Sequence, residues 1–231
     1  MIKNYITYNY QLNKKLKGLG FKRKNKNSFI RKHEEAIQSL CWGHYTSYGE
    51  PHVKYYSITA YIDFPVVDKK VKDIGVIVES IGQGLGYFMP VPGYKEWRLA
   101  DDATETEVET VINEIVTITE LYVIPFLNKY SLLKNLIIGI ENNELKFCMN
   151  FKCLLPILYL VNGQRDKACL YMEETLNKMK AIHAVRINEN KKLQELYGTD
   201  NIGMNMNKTF ENYKMYVEKF NGYLHDNISE D

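Results

Sequence analysis

Apolar and polar residues alternate along the stretch from Val53 to Phe64. On an extended chain, one face would carry Tyr56, Ile58, Ala60, Ile62 and Phe64, and the other would carry Tyr55, Ser57, Thr59, Tyr61 and Asp63. A period of two residues over this length is typical of a strand that buries one face. The run from Ala36 to Tyr45 predicts a second strand, and the short loop at residues 47–51 favours antiparallel pairing of the two.

Repeats of three and four residues predict helices on both sides of this sheet. The first covers residues 2–17 and is ended by glycines at 18 and 20. Thr104 and Glu107 match a capping box in front of an apolar repeat, and we expect Pro125 to break or kink that helix. Residues 66–80 fit either a helix or a buried strand, whereas the glycines and prolines of residues 82–93 predict a loop.

Beyond Ser131 the pattern is almost wholly helical. We expect helices near residues 132–141, 146–161 and 164–197, with an interruption at Pro156, and a last helix over 208–224 after a loop at 199–207. The predicted fold is therefore α+β, with an antiparallel sheet packed by helices and followed by an all-helical C-terminal segment. We expect an α+β domain over residues 1–130 and the helical segment over residues 131–231.

Charge is unevenly distributed, although the formal net charge is only +2. Every charged residue before Glu34 is basic, and the range 99–128 contains acidic residues but no Lys or Arg. Such segregation is typical either of two elements that lie together and neutralise each other or of a basic arm for nucleic acid. The first interpretation leads, because both segments also carry the apolar periodicity of packed structure.

Cysteine usage and hydropathy favour a soluble cytoplasmic chain. Cys41, Cys148, Cys153 and Cys169 show no repeated short spacing, which predicts reduced and mostly buried thiols. The longest strongly apolar run, residues 153–161, is about half of the roughly 20 residues that a bilayer crossing needs. The first residues lack the basic-then-apolar pattern of a secretory signal, so we expect no membrane segment and a cytoplasmic location.

Two local motifs suggest chemistry without meeting its requirements. Cys41, His44 and His52 offer metal ligands or a thiol with a base, but in one regular strand Cys41 and His44 face opposite sides. The run of glycines at 82, 84 and 86 lacks the spacing of a dinucleotide-binding turn and is followed by prolines instead of a helix. We therefore predict no cofactor, no metal site and no catalytic residue, and we assign the glycines to a loop that could rim a binding surface.

The candidate binding residues fall into two groups. The first is the hydroxyl-rich strand face with Tyr55, Ser57, Thr59 and Tyr61, which either lines a groove or is solvated; Trp97 could join Tyr61 in a pocket. The chain has 18 tyrosines, a residue type enriched at protein interfaces. The second group is the basic cluster Lys22, Arg23 and Lys24, which has Phe21 and Phe29 beside it and would suit phosphates and stacked bases.

Residues 19–23 (Leu-Gly-Phe-Lys-Arg), 29–31 (Phe-Ile-Arg) and the alternating strand that follows resemble the opening of a bacterial family catalogued as a domain of unknown function. Trp97, which leads into an acidic-capped helix ending near residues 124–127, is similar to a later block of that family. The resemblance covers roughly the first 130 residues. It implies an α+β domain, assigns no catalytic residue, and raises the expectation of a toxin-neutralising or contact-system accessory role.

These observations favour a non-enzymatic protein-interaction module with a protein partner, and toxin neutralisation is the form that the resemblance implies. The first alternative is a small-molecule-binding protein or enzyme that uses the polar sheet face and the glycine loop. The second is nucleic-acid binding through the basic N-terminal segment, for which a net charge near zero is unfavourable. The oligomeric state is left open.

Overall fold

The structure is a computed structural model that describes residues 2–78, 80–145, 151–197 and 204–227, with the backbone alone at 2–9, 194, 197 and 204–207. The chain divides into two compact units, Met1–Pro65 with Ser80–Met149 and Val66–Glu79 with Asn150–Asp231. The boundary that we expect after residue 130 lies inside the first unit. Whether residues 1–130 and 131–231 are folding domains stays a prediction.

The first unit contains a six-stranded antiparallel sheet in the order β1-β2-β3-β4-β5, with β6 also paired to β4. Strands β5 and β6 lie one after the other along the same edge of β4, at residues 59–62 and 53–56 respectively. The strands are β1 Lys22–Asn25, β2 Ser28–His33, β3 Ala36–Ser47, β4 Glu50–Asp63, β5 Ile81–Gly84 and β6 Trp97–Ala100. The α+β class and the antiparallel meander predicted from the sequence are confirmed.

Helices make up most of the remaining described residues. They are α1 Ile2–Gly18, α2 Pro65–Ile74, α3 Glu105–Ile118, α4 Ile124–Lys129, α5 Leu133–Glu141, α6 Phe151–Val161, α7 Arg165–Tyr197 and α8 Met204–Asp226. Helix α2 resolves the ambiguity of residues 66–80 in favour of a helix. The predicted start of the second C-terminal helix at residue 146 and the loop residues 199–203 lie outside the described residues, and α8 begins four residues before the predicted Lys208.

One face of the sheet is the core of the first unit. Tyr56, Ile58, Ala60 and Ile62 of β4 are all buried, as the alternation predicts. Helix α1 packs against α3 and β1, and α3 also contacts β6. The buried apolar residues of these helices, Leu12, Leu16, Val108, Ile112 and Ile115, complete this core. Burial of both the strand face and the helix stripes explains why the two sequence periods predict these elements.

Helix α3 starts with the predicted capping box, in which the Thr104 side chain accepts from the Glu107 backbone and the Glu107 carboxylate accepts from the Thr104 backbone N–H. The break or kink expected at Pro125 takes the form of a π-helical turn: α3 ends at Ile118, and Thr119–Val123 leads directly into α4. In that turn the N–H of Ile124 donates to the carbonyl of Thr119, one residue further back than in an α-helix. The wider turn relieves the clash that a proline makes with the preceding carbonyl.

The segment Glu105–Lys129 is the one stretch among the described residues that is long and apolar enough to cross a membrane, judged by length and composition alone. Its apolar stripe, including Val108, Ile112 and Ile115, is buried in the first unit. A core helix of a soluble protein has the same composition, so this marginal segment is consistent with a soluble chain.

Three expectations from the sequence are wrong. Residues 82–93 are not all loop, since β5 reaches Gly84 and a 3₁₀ turn follows at Leu85–Phe88. Pro156 lies inside α6 and does not interrupt it. Cys41, Cys153 and Cys169 are partly exposed instead of buried, and Cys148 lies outside the described residues.

Candidate functional site

The second face of the sheet, here called the open face, carries the predicted residues Tyr55, Ser57, Thr59 and Tyr61. All four side chains are partly exposed, and every residue of β4 between them is buried. Their partners on β3, which lie on the same face, are Tyr45, Gly43, Cys41 and Ser39 in that order. The structure therefore brings the predicted polar face together as one surface of the first unit.

Small residues form a strip across the middle of the open face. The strip consists of Cys41, Gly43, Ser57, Thr59 and Gly84, which are neighbours by strand pairing. Tyr55 and Tyr61, on the same face of β4, lie on either side of it. The strip is therefore a row of short side chains on this face, and at its end in β5 the ring of Tyr87 lies 3.7 Å from the place that a Cβ atom of Gly84 would take.

Gly82 of β5 lies beneath the ring of Tyr61. The two residues are paired across the strands, and a Cβ atom at Gly82 would overlap the ring and lie 2.8 Å from the carbonyl oxygen of Ala60. Gly82 and Gly84, which the sequence analysis assigns to a loop, thus belong to strand β5. The missing side chain of Gly82 lets the ring of Tyr61 lie flat against the backbone. Gly82 and Gly84 are therefore part of the open face, opposite Tyr61 and Thr59 of β4.

The basic cluster is divided between the two faces of the sheet. Lys22 pairs with Ile30 and lies on the open face, and Lys24 is close enough to act electrostatically on the Cys41 thiol of the same face. Arg23 pairs with Phe29, a core residue, and donates to the backbone carbonyls of Asn25 and Lys26 at 3.1 and 3.0 Å. Arg23 therefore stabilises the hairpin turn, while the two lysines border the open face.

Trp97 does not join this surface. It is 3% exposed on the core face, and its indole N–H donates to Glu114 at 2.8 Å. The ammonium of Lys95 lies 5.6 Å from the centre of its ring and 2.7 Å from Glu114. Burial opposes ionisation of Glu114, but the hydrogen bonds from Lys95 and Trp97 outweigh it, so the pKa of Glu114 is lowered. The arrangement attaches α3 to β6.

A group of tyrosines and glutamates, here called the tyrosine cluster, lies where the open face meets β6: Tyr45, Tyr55, Tyr94, Glu50 and Glu96. The rings of Tyr45 and Tyr55 stack with centroids 5.3 Å apart. Tyr45 donates to Glu96 at 3.0 Å, and the Tyr94 hydroxyl donates to the other oxygen of the same carboxylate. Tyr55 donates to Glu50, which also accepts from Arg98 at 2.8 Å.

The hydrogen bonds to Glu96 favour the protonated form of the Tyr45 and Tyr94 hydroxyls. Donation to Glu96 raises the pKa of Tyr45, and it raises the pKa of Tyr94 to about 12. Tyr87 is close enough to Tyr94 to add to this shift. The rings are nevertheless exposed to solvent, with exposed fractions of 50% for Tyr45 and 69% for Tyr94.

The sequence does not predict the tyrosine cluster beyond Tyr55. Its members come from β3, β4 and the segment before β6, so that Tyr45 and Glu96, for example, are 51 positions apart. The one local signal is the spacing of Tyr94 and Glu96, which places two hydrogen-bonding side chains on the same side of an extended segment.

Cys41 and His44 lie on opposite faces of the sheet, because Cys41 pairs with Thr59 on the open face and His44 pairs with Tyr56 on the core face. Burial raises the pKa of the Cys41 thiol, Asp63 raises it further, and Lys24 offsets part of the effect. Burial and two lysines lower the pKa of His44. Within the described ranges, no group of three or more His, Cys, Asp or Glu residues is arranged to hold a metal ion.

No family model, curated protein or solved structure matches this chain. The resemblance to a bacterial domain of unknown function stays an expectation from the quoted residues.

Proposed function

We propose that this protein is a non-enzymatic cytoplasmic module that binds a protein partner on the open face, with the tyrosine cluster as the centre of the contact. One observation carries the proposal: Tyr45 and Tyr94 both donate a hydrogen bond to the carboxylate of Glu96, although at least half of each tyrosine is exposed to solvent. Both side chains are at the surface, so their hydroxyls could bond water instead of Glu96, and the bonds to Glu96 are not required to satisfy buried polar groups.

Tyrosine suits such a role because it offers a large apolar area with few rotatable bonds, so little conformational entropy is lost on binding. In this cluster the stacking of Tyr45 on Tyr55 and the bonds to Glu96 and Glu50 already fix the rings. A preformed aromatic surface binds more tightly than a mobile one of equal area, because its side chains lose less conformational entropy on association.

The charges of the cluster favour a partner that presents a basic side chain. Glu50 is paired with Arg98, whereas Glu96 makes no ion pair with a cationic side chain among the described residues. A lysine or arginine of the partner could approach Glu96 and lie against the faces of Tyr45 and Tyr94, gaining both Coulomb and cation–π energy. Toxin neutralisation is one form of this role, and it rests on the family resemblance.

The small-residue strip and the lysines of the open face keep one alternative open. Lys22 lies on the open face, and Lys24 acts electrostatically on Cys41 of the strip, an arrangement that would suit a small anionic ligand. Nucleic acid would use the same lysines, but Arg23 is engaged in its own turn. The experiment below separates the alternatives, because they depend on the lysines and the proposal depends on the tyrosines.

The test is affinity purification of the tagged chain from its own cells, with a comparison of four forms: the wild type, Tyr94→Ser, Tyr10→Ser and the double variant Lys22→Ala with Lys24→Ala. Tyr94→Ser removes a ring of the tyrosine cluster, and Tyr10→Ser removes an equally exposed tyrosine, 69% in both cases, from helix α1. We expect one partner, recovered in stoichiometric amount with the wild type and with Tyr10→Ser, to be lost with Tyr94→Ser. Retention of the same partner by Tyr94→Ser, or its loss only on Lys22→Ala with Lys24→Ala, contradicts the proposal.

A further inference from the structure

The second unit contains a groove of about 590 Å³ that lies entirely among its own elements. Its walls come from the turn after α2, the first turn of α6, one position of α7 and one side of α8. The residues used below are Ile77, Lys152, Cys153, Met179, Met215 and Lys219. The volume is within the range of sites that hold small organic ligands.

Hydrogen bonds between these elements hold the groove open. Gly75 ends α2 with a φ of +71°, a conformation that favours glycine, and so turns the chain to present Val76 and Ile77. The ammonium of Lys219 on α8 donates to the carbonyl of Gly75 at 2.7 Å, and Tyr216 donates to the carbonyl of Cys153 at 2.6 Å. The turn, α6 and α8 are therefore fixed relative to one another.

The groove combines an apolar surface with positive charge. Ile77 is 93% exposed and Met215 is 54% exposed, so two apolar walls are in contact with solvent. Among the described residues that line the groove, the groups charged at neutral pH are the ammoniums of Lys152 and Lys219, and none is a carboxylate. Among the described residues, neither lysine forms an ion pair with a carboxylate; Lys219 bonds only a neutral carbonyl.

We infer that this groove binds an amphiphilic carboxylate, a medium-length alkyl chain with one anionic end. The alkyl chain lies along Ile77, Met179 and Met215, where flexible methionine side chains adapt to an apolar guest. The carboxylate lies between the ammoniums of Lys152 and Lys219, where it gains charge-assisted hydrogen bonds. This site is separate from the tyrosine cluster, so the inference does not depend on the proposed protein partner.

The first measurement is calorimetric titration of the full-length protein with dodecanoate below its micelle concentration. Substitution of either lysine, Lys152→Met or Lys219→Met, is expected to weaken binding by about tenfold, because each removes one charged contact while keeping an apolar stem. Lys214→Met is the matched control: Lys214 lies on the same helix, pairs with Glu218 at 4.0 Å and is absent from the groove, so affinity should stay unchanged.

Two further probes identify what the groove recognises. Dodecylamine, which has the same chain with a positive end, is expected to bind at least tenfold more weakly than dodecanoate, because its charge repels the lysines. Phosphatidylglycerol vesicles should not sediment the protein, because a groove of this volume takes single chains. Equal binding of dodecylamine, or binding to vesicles without binding to free dodecanoate, overturns the inference.

A second readout uses the cysteines of the same molecule and needs no substitution. Cys153 lines the groove, and Cys41 lies on the open face of the other unit; both are partly exposed. Saturating dodecanoate should slow alkylation of Cys153 by iodoacetamide at least severalfold and leave the rate at Cys41 unchanged, as read by mass spectrometry of the two peptides. Equal protection of the two thiols, or none at Cys153, places the ligand elsewhere and overturns the inference.

Discussion

The ring of Tyr61 occupies the space that a side chain on Gly82 would need. The two residues face each other across β4 and β5, so the glycine lets the ring lie against the neighbouring strand on the open face. The position of Tyr61, a candidate binding residue, therefore depends on the absence of a Cβ atom at residue 82.

Replacement of this glycine, Gly82→Ala, is therefore expected to displace Tyr61 and to lower the free energy of unfolding by about 1–3 kcal/mol, the usual cost of overpacking. Gly84→Ala is the control on the same strand, since the nearest atom to an added Cβ there is 3.7 Å away, in Tyr87. Urea unfolding of the three proteins tests this. Equal stability of the two variants would mean that Tyr61 moves aside without cost.

Titration of Tyr94 tests the geometry of the tyrosine cluster. The hydrogen bond to Glu96 raises the Tyr94 pKa to about 12, so its hydroxyl still donates at a pH where an ordinary tyrosine, with a pKa of about 10, is half ionised. Glu96→Gln removes the negative charge and should lower the pKa toward 10. The Cζ chemical shift of Tyr94 followed against pH measures it. Glu50→Gln, which alters the acceptor of Tyr55 instead, should leave the Tyr94 value in place.

Two helical glycines give opposite expectations for the same substitution. A Cβ atom at Gly139 in α5 would overlap the buried ring of Tyr130, whereas one at Gly222 in α8 would have no neighbour within 4 Å in the described part of the chain. Gly222→Ala should raise the free energy of unfolding by about 0.5–1 kcal/mol, because alanine favours the helix. Gly139→Ala should lower it by about 1–2 kcal/mol, since overpacking exceeds that gain. Thermal and urea unfolding would contradict this account if both substitutions stabilised the protein.

A second matched pair tests the buried hydrogen bonds of the sheet. Gln38 is fully buried, accepts from Arg31 at 2.9 Å and donates to Ser131 at 2.8 Å. Gln83 is also buried, but its side-chain oxygen has no hydrogen-bond partner among the residues that the structure describes. Gln38→Leu leaves polar groups unsatisfied and should cost about 1–3 kcal/mol, whereas Gln83→Leu removes an unsatisfied acceptor and should be neutral or stabilising by up to about 1 kcal/mol.

Urea unfolding of the two leucine variants decides between this interpretation and simple loss of a buried glutamine. If Gln38→Leu and Gln83→Leu lowered the free energy of unfolding equally, the hydrogen bonds of Gln38 would add nothing to the stability of the protein. Asn128, which accepts from both Arg31 and Gln38, offers a check, because Asn128→Ala should affect the wild type more than it affects Gln38→Leu.

Elements with a strong local signal were predictable. The alternation of β4 and the capping box of α3 each depend on residues within a few positions of one another, and the structure contains both. Local composition failed where tertiary pairing outweighed it. Gly82 and Gly84 read as loop residues, yet backbone pairing with β4 makes them a strand.

The candidate site follows the same division. Alternation alone put Tyr55, Ser57, Thr59 and Tyr61 on one face. Alternation could not show that Trp97 is in the core or that Arg23 bonds its own turn, because burial and hydrogen bonding depend on the neighbouring strands. The groove of the second unit was not predictable either, since it combines the turn after α2 with residues of α6, α7 and α8.

The sequence by itself determined the class of fold and which side of β4 is apolar, because periodicity requires only the geometry of one strand or one helix. The tertiary structure alone decided that Tyr45, Tyr94 and Glu96 meet, since strand pairing brings together residues that are 51 positions apart. It also decided that Lys152 and Lys219 line one groove. Local patterns carry no information about such distant neighbours, whose distances are fixed only when the strands pair and the helices pack.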